Sequence, residues 1–253
     1  MRIAYYALHY GKEYLAHSVR SVQGAVDEIH MLYTARPSFG HGTDAVNPDT
    51  LEELEREAGR FADKPIIWHH GSWPNEGQHR DAIVDVARDR GASVVVAVDA
   101  DELWDPATLK ASLDFVEHTP RSGVGRYRAR FVHFFRSFGH VCRDVCAPER
   151  VVDVRAFPGE IDHLGEAQDC PVYHFGYAQS EALTRYKWKI HGHQSDLRPG
   201  WIDRFVGWRP GDLDVHPTND QGFWNPEPTD PATMEVLDRI LGDHPYHGLG
   251  IIG

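Results

Sequence analysis

Cysteine and methionine are scarce in this chain of 253 residues, three of each, and long apolar runs are missing altogether. Cys142, Cys146 and Cys170 are an odd number with no Cys-x-x-Cys spacing, so neither a disulfide framework nor a thiolate zinc site is indicated. No stretch approaches the roughly 18–20 consecutive apolar residues of a membrane span. Met1-Arg2-Ile3-Ala4-Tyr5-Tyr6 leads into polar residues instead of a signal-peptide core. A cytoplasmic location is expected, the host's if the chain is viral. Internal repeats and low-complexity linkers are absent too, which favours one domain over a string of modules. Basic charge is in deficit, with 26 Lys and Arg against 38 Asp and Glu, and at first that balance argues against nucleic acid or an anionic membrane as partner.

What is present suffices for a sizeable core: 41% of residues are apolar and 11% aromatic, and a chain of this length buries roughly 70–75% of the surface its unfolded form exposes. Arg2 to Leu8 reads as a strand, and Tyr14 to Val22 has helical apolar spacing through Leu15, Val19 and Val22. Glu28 to Tyr33 and Ile66 to His69 read as further strands. Leu51 to Ala62 has helix-forming composition with Asp49 or Thr50 as N-cap. Glu76 to Arg90 carries Ala82, Ile83, Val86 and Ala87 as one apolar stripe and stops at Gly91. Ser93 to Val98 is a continuous apolar run of the kind a parallel sheet buries on both faces. Repeated βα units thus fill residues 1 to about 104 and predict a right-handed βαβ sheet. Beyond Pro106 the pattern predicts a helix over Ala107 to Glu117 and strands over Gly123 to Phe135, Val151 to Phe157 and Pro171 to Tyr177. A helix over Glu181 to Ile190, an irregular tract over Pro210 to Pro231 and a last helix over Ala232 to Leu241 complete the pattern.

The buried run ends in Asp99-Ala100-Asp101-Glu102. In open α/β sheets ligands bind beyond the carboxyl ends of the strands, so these carboxylates stand where a ligand would. In extended geometry Asp99 and Asp101 point to one side, and two such anions need a cation. Hard oxygen ligands suit Mg²⁺ or Mn²⁺, which keep waters and accept substrate phosphate oxygens. A bare Asp-x-Asp is equally at home as a solvated strand end. Farther on, Arg185, Lys187, Lys189, His191 and His193 form a basic cluster on and just after a helix. It suits a diphosphate, although any solvated helix face has the same spacing.

Three segments, IAYYALHYGKEYLAHSVRSV, EGQHRDAIVDVARDRGASVVVAVDADELW and PVYHFGYAQSEALTRYKWKIHGHQ, resemble parts of GT-A fold glycosyltransferases, similar to the family 2 group. The first two carry the resemblance best. It implies an α/β fold of GT-A type, Rossmann-like, with a mixed, mostly parallel sheet flanked by helices. It further implies a single domain with a nucleotide-sugar-binding half, residues 1–104, and an acceptor-binding half, residues 105–253. The implied activity is metal-dependent transfer of a sugar from a nucleotide-sugar donor to an acceptor hydroxyl, with Mn²⁺ or Mg²⁺ as cofactor. The same resemblance places Asp99 near ribose and metal, makes Asp101 a direct metal ligand and makes His174, within VYHFGY, a further one. It has Ala7 and His9 line the nucleotide and puts Arg80 beside the base or phosphate. Thr34 closes the second strand on the nucleotide where the family often has an acidic residue that reads uracil, so the donor nucleotide stays open. Lys187 and His193 fall on the diphosphate side. An inverting transfer also needs a carboxylate base. Glu160 and Asp162, in a loop ahead of His174, are the candidates, with Asp144 and Glu149 behind them.

Residues 121–209 hold 14 Lys and Arg against 10 Asp and Glu, so this part of the chain is locally basic. Within it, Arg126, Arg128, Arg130 and Arg136 alternate with Tyr127, Phe131, Phe134, Phe135 and Phe138. Arginines among stacking rings are what a polyanionic, base-bearing acceptor would use. Two acceptors therefore stay in view, a saccharide and a hydroxymethylated base in DNA of the bacteriophage type. The plain alternative is an amphipathic strand pair with solvent-facing arginines. Two other classes remain open: a nucleotidyltransferase with Asp-bound Mg²⁺, for which ALHYGKEY is a poor phosphate loop, and a non-catalytic sugar-nucleotide-binding module.

Overall fold

Strand-forming runs alternate with helices in the first hundred residues, and the chain follows that alternation. It forms β1 (Arg2–Leu8), α1 (Lys12–Val22), β2 (Glu28–Thr34), α2 (Leu51–Gly59), β3 (Ile66–Gly71), α3 (Glu76–Asp89) and β4 (Val94–Val98). The computed structural model describes residues 1–38, 43–119, 122–143, 147–164, 170–218 and 224–253. Asp144 and Cys146 lie outside the described residues. The first four strands are ordered β4, β1, β2, β3, all parallel, as βα repeats dictate. Successive residues of β1 face opposite ways. Ala4, Tyr6 and Leu8 share a core with Leu15 and Val19 of α1 and Leu54 of α2, while Ile3 and Tyr5 share one with Ile83, Val84 and Ala87 of α3. Of the two N-cap candidates for α2, Thr50 takes the role, in a capping box with Glu53.

The rest of the chain comprises β5 (Glu102–Trp104), α4 (Pro106–His118), β6 (Val124–Arg128), β7 (Phe131–Phe135), β8 (His140–Arg143), β9 (Glu149–Asp153), β10 (Glu160–His163), β11 (Val172–Tyr177), α5 (Glu181–Ile190), α6 (Trp201–Gly207), β12 (Glu227–Pro228) and α7 (Pro231–Leu241). β9 pairs antiparallel with β4 and β6, and β10 pairs parallel with β6, so the first sheet runs β10, β6, β9, β4, β1, β2, β3. This is the α/β class expected, a mixed sheet flanked by helices. A second sheet was not expected. It runs β12, β8, β7, β11, β5 and is antiparallel except at β7 and β11.

The single strand expected over Gly123 to Phe135 is two strands, because the chain passes from one sheet to the other at Ala129 and Arg130. Val124 and Tyr127 belong to the core of the first sheet, whereas Phe134 and Phe135 face opposite sides of the second. On one side Phe134 and Phe175 pack with Leu237 and Ile240 of α7. On the other, Phe135 packs with Trp188 of α5 and with Trp201 and Phe205 of α6. No described helix is long and apolar enough to cross a membrane.

Candidate active site

The chain leaves β1 toward β2 on one side and returns to β4 on the other, so the carboxyl ends of β1 and β4 flank the switch point where open α/β sheets bind ligands. A cavity of about 740 Å³ opens there. Ala7 and His9 line it from the end of β1, Asp99 and Asp101 from the end of β4, Arg80 from α3, and Lys187 from α5. Gly11 lets the two strand ends meet. Its φ is 118°, open to glycine but not to other residues, and a Cβ there would stand 2.5 Å from the Ala100 Cβ.

Asp99 and Asp101 do not project side by side from an extended strand, as the spacing suggested. The Glu102 N–H donates to the Asp99 carbonyl at 3.0 Å, which bends residues 99–102 into a turn, and the two carboxylates take different partners. Arg80 Nη2 donates to both Asp99 oxygens at 3.0 and 3.1 Å, and Arg150 Nη2 donates to one of them at 2.9 Å. Arg150 Nε in turn donates to the two Glu102 oxygens at 3.1 and 3.0 Å. Burial works against charge on Asp99, but the two guanidiniums outweigh it and hold the carboxyl well below the usual range. Burial pushes Glu102 up to about 7, with Arg150 opposing. Arg150 was not singled out from the sequence. Its only signal is its place beside Val151 and Val152 in a strand-forming segment, where a charge can be buried only beside an anion.

Asp101 belongs to a second group. Its Oδ2 accepts from Lys187 Nζ at 3.1 Å, and its Oδ1 faces His174 Nε2 at 3.9 Å. His174 Nδ1 lies 2.7 Å from His133 Nδ1. Burial, then the nearby His133 and Lys187, push His174 well below the ordinary imidazole range, so it is neutral at pH 7. Gly176 makes the room: a Cβ there would stand 2.5 Å from His174 Nε2 and 2.6 Å from Lys187 Nζ. A carboxylate oxygen and an imidazole nitrogen facing each other at this distance fit a divalent cation lying between them, with phosphate oxygens and water as its other ligands. Asp99, the other expected metal ligand, has both its oxygens held by guanidiniums. Among the described residues no cluster of three or more His, Cys, Asp and Glu is placed to surround an ion.

His9 is fixed on both nitrogens. Nδ1 lies 2.8 Å from the Thr34 carbonyl, which can only accept, so Nδ1 carries the proton and Nε2 accepts from the Tyr186 hydroxyl at 2.7 Å. Burial lowers the His9 pKa, in keeping with that neutral form. Thr34 is buried beneath and does not line the cavity; its carbonyl positions His9. His193 lines the rim, exposed, with Asp196 3.2 Å from its Nδ1. Glu160 and Asp162 are not brought to the cavity at all. They lie on β10, an edge strand of the first sheet, where a loop was expected. Glu149 is likewise engaged elsewhere, pairing with Arg126 at 3.3 Å. Among the described residues, the carboxylates that line the cavity besides the Asp99–Glu102 turn are Glu76, paired with Arg80 at 2.9 Å, and Asp196.

Four of the five rings expected to stack on bases are core residues away from the cavity, and the fifth, Phe131, lines it. Tyr127, Phe134 and Phe135 are fully buried, and Phe138 and Phe131 are 2% and 7% exposed. Of the arginines among them, Arg136 is buried over the Phe205 ring and Arg128 reaches the cavity.

No family model and no curated protein matches the chain. Solved structures with a similar chain course include a protein assigned as a nucleotide-diphospho-sugar transferase from Desulfovibrio desulfuricans G20, at 11% identity over 94% of this chain and 75% of that one, with TM-score 0.38. S. aureus TarS 1–349 in complex with UDP-GlcNAc is similar at 14% identity over 61% of this chain and 46% of that one, TM-score 0.37. GalNAc-T7 with UDP, GalNAc and Mn²⁺ is similar at 9% identity over 96% of this chain and 54% of that one, TM-score 0.43. This chain spans about half the length of the last two. Likenesses of this size say nothing of activity, which rests on the residues of the cavity.

Proposed function

We propose that the chain is a glycosyltransferase of GT-A type that moves a sugar from a nucleotide-sugar donor to an acceptor hydroxyl. The observation that carries this reading is the grouping of Asp101, His174 and Lys187 in the crevice beyond β1 and β4. Glycosyl transfer passes through an oxocarbenium-like transition state while negative charge builds on the departing diphosphate. Lys187, with His191 and His193 at the rim, supplies donors for that charge. Asp101 and His174 would hold a divalent ion, Mn²⁺ or Mg²⁺, and such an ion when bound supplies Lewis-acid stabilisation of the leaving group. Ala7, His9, Arg80 and Asp99 form the nucleotide side of the cavity, Asp99 as an acceptor fixed by its two arginines. The acceptor proton falls to Glu76 or Asp196, which line the cavity, in place of Glu160 and Asp162. A saccharide is the acceptor this site favours, because of the five rings expected to stack on a nucleic acid only Phe131 lines the cavity.

The test is transfer from a panel of UDP-, GDP-, CDP- and dTDP-sugars to oligosaccharide acceptors, followed by mass spectrometry. Wild type is expected to use one donor class, and Asp101→Ala to lose about 100-fold or more in kcat/KM. A folded protein that neither transfers nor hydrolyses any of these donors would count decisively against the reading, as would an Asp101→Ala variant of full activity. The first outcome would also revive the non-catalytic binding module.

A further inference from the structure

We infer that Lys187 is a resident cation of the donor site, which binds the diphosphate directly and holds a nucleoside diphosphate without any divalent metal. This rests on the donor reading above and deepens it.

Three features of the cavity lead here. First, the carboxylates are already compensated by the protein: Asp99 by Arg80 and Arg150, Glu102 by Arg150, and Asp101 by Lys187. Arg80 also holds Glu76 at 2.9 Å, so each acidic group of the cluster has a basic partner. No metal is needed to hold this cluster together. Second, the ammonium has a built seat. It lies against the bare Cα of Gly176, 3.1 Å from Asp101 Oδ2, with the Tyr177 ring centroid at 5.8 Å. The rotamer is thereby set by packing and not by solvent. Third, an ammonium carries three donors, and the hydrogen bond from Lys187 to Asp101 uses one of them. Lys187 lines the cavity and its side chain is 13% exposed, so a phosphate oxygen entering the cavity meets a largely desolvated cation, where a charge-assisted hydrogen bond is strongest. Asp101 then acts as the residue that positions Lys187, in addition to any part it takes in holding an ion.

Isothermal titration of UDP, GDP, CDP and dTDP into metal-stripped protein, in EDTA and again with Mn²⁺, decides the matter. The expected result is that one nucleoside diphosphate binds in EDTA with an affinity within about tenfold of that in Mn²⁺. Lys187→Met is expected to weaken binding in EDTA by at least about tenfold, and Lys187→Arg to keep most of it. If Lys187→Met unfolds because Asp101 is left unpaired, Asp101→Asn with Lys187→Met restores the charge balance, and the same loss is expected of it. Binding that appears only with Mn²⁺, or EDTA binding that survives in folded Lys187→Met or in its pairing with Asp101→Asn, overturns the inference and leaves the donor reading standing. No binding under either condition overturns both.

Discussion

A guanidinium buried beside two carboxylates has no solvent to replace a lost partner, and Arg150 is in that position between Asp99 and Glu102. Arg150→Met is expected to destabilise the protein by about 3–5 kcal/mol in urea unfolding, the usual cost of breaking a buried ion pair from one side. A loss under about 1 kcal/mol would mean the network is not held by this residue. Single positions were partly legible in the sequence. Asp99, Asp101, Arg80, His9, His174, Lys187 and His193 do line one cavity, because residues at the ends of strands β1 and β4 and on the helices beside them converge on the switch point. The partnerships within it were not legible. An extended Asp-x-Asp puts two anions together, whereas the turn closed by Glu102 separates them, and Arg150 comes from a strand far along the chain. Glu160 and Asp162 failed for a related reason: their nearness to His174 in sequence says nothing of an edge strand on the other sheet.

Among the elements, α5 carries most of the weight at the site, since Lys187 stands on it and Tyr186 beside it holds His9. Its first turn is capped by Ser180, whose hydroxyl accepts from the Leu183 N–H at 3.3 Å and donates to Glu13 of α1. Ser180→Ala is expected to cost about 1 kcal/mol, visible as a melting temperature lower by about 2–4 °C. An unchanged melting curve would show the cap to be idle. Helices of this kind were the most legible elements. The sequence pattern gives α5 its observed bounds, and α3, α4 and α7 theirs within a residue or so, because an apolar stripe and a cap are local properties. Sheet membership is not local. The apolar pattern runs on through Ala129 and Arg130 while the chain changes sheets, and β5, three residues long, is too short to show any periodicity.

At the scale of the molecule, the many histidines set the response to acid. His9, His17, His30, His79, His174 and His244 are buried, and burial lowers the pKa of each. As pH falls below about 6.5 the unfolded chain takes up protons that the folded chain refuses, so stability falls with pH. Glu102, raised to about 7, pulls the other way as a single group. Urea unfolding at pH 7.5 and 5.5 is expected to show a loss of roughly 1 kcal/mol for each histidine that stays neutral in the fold. Equal stability at the two values would mean the imidazoles are protonated in place. In α5, Tyr186 and Lys187 are neighbours in sequence yet bond to groups following different strands, His9 after β1 and Asp101 after β4. The helix works as a caliper across the mouth of the crevice. Its two jaws belong to one rigid body, so the gap between the strand ends has a single setting, and whatever loosens one jaw is felt at the other.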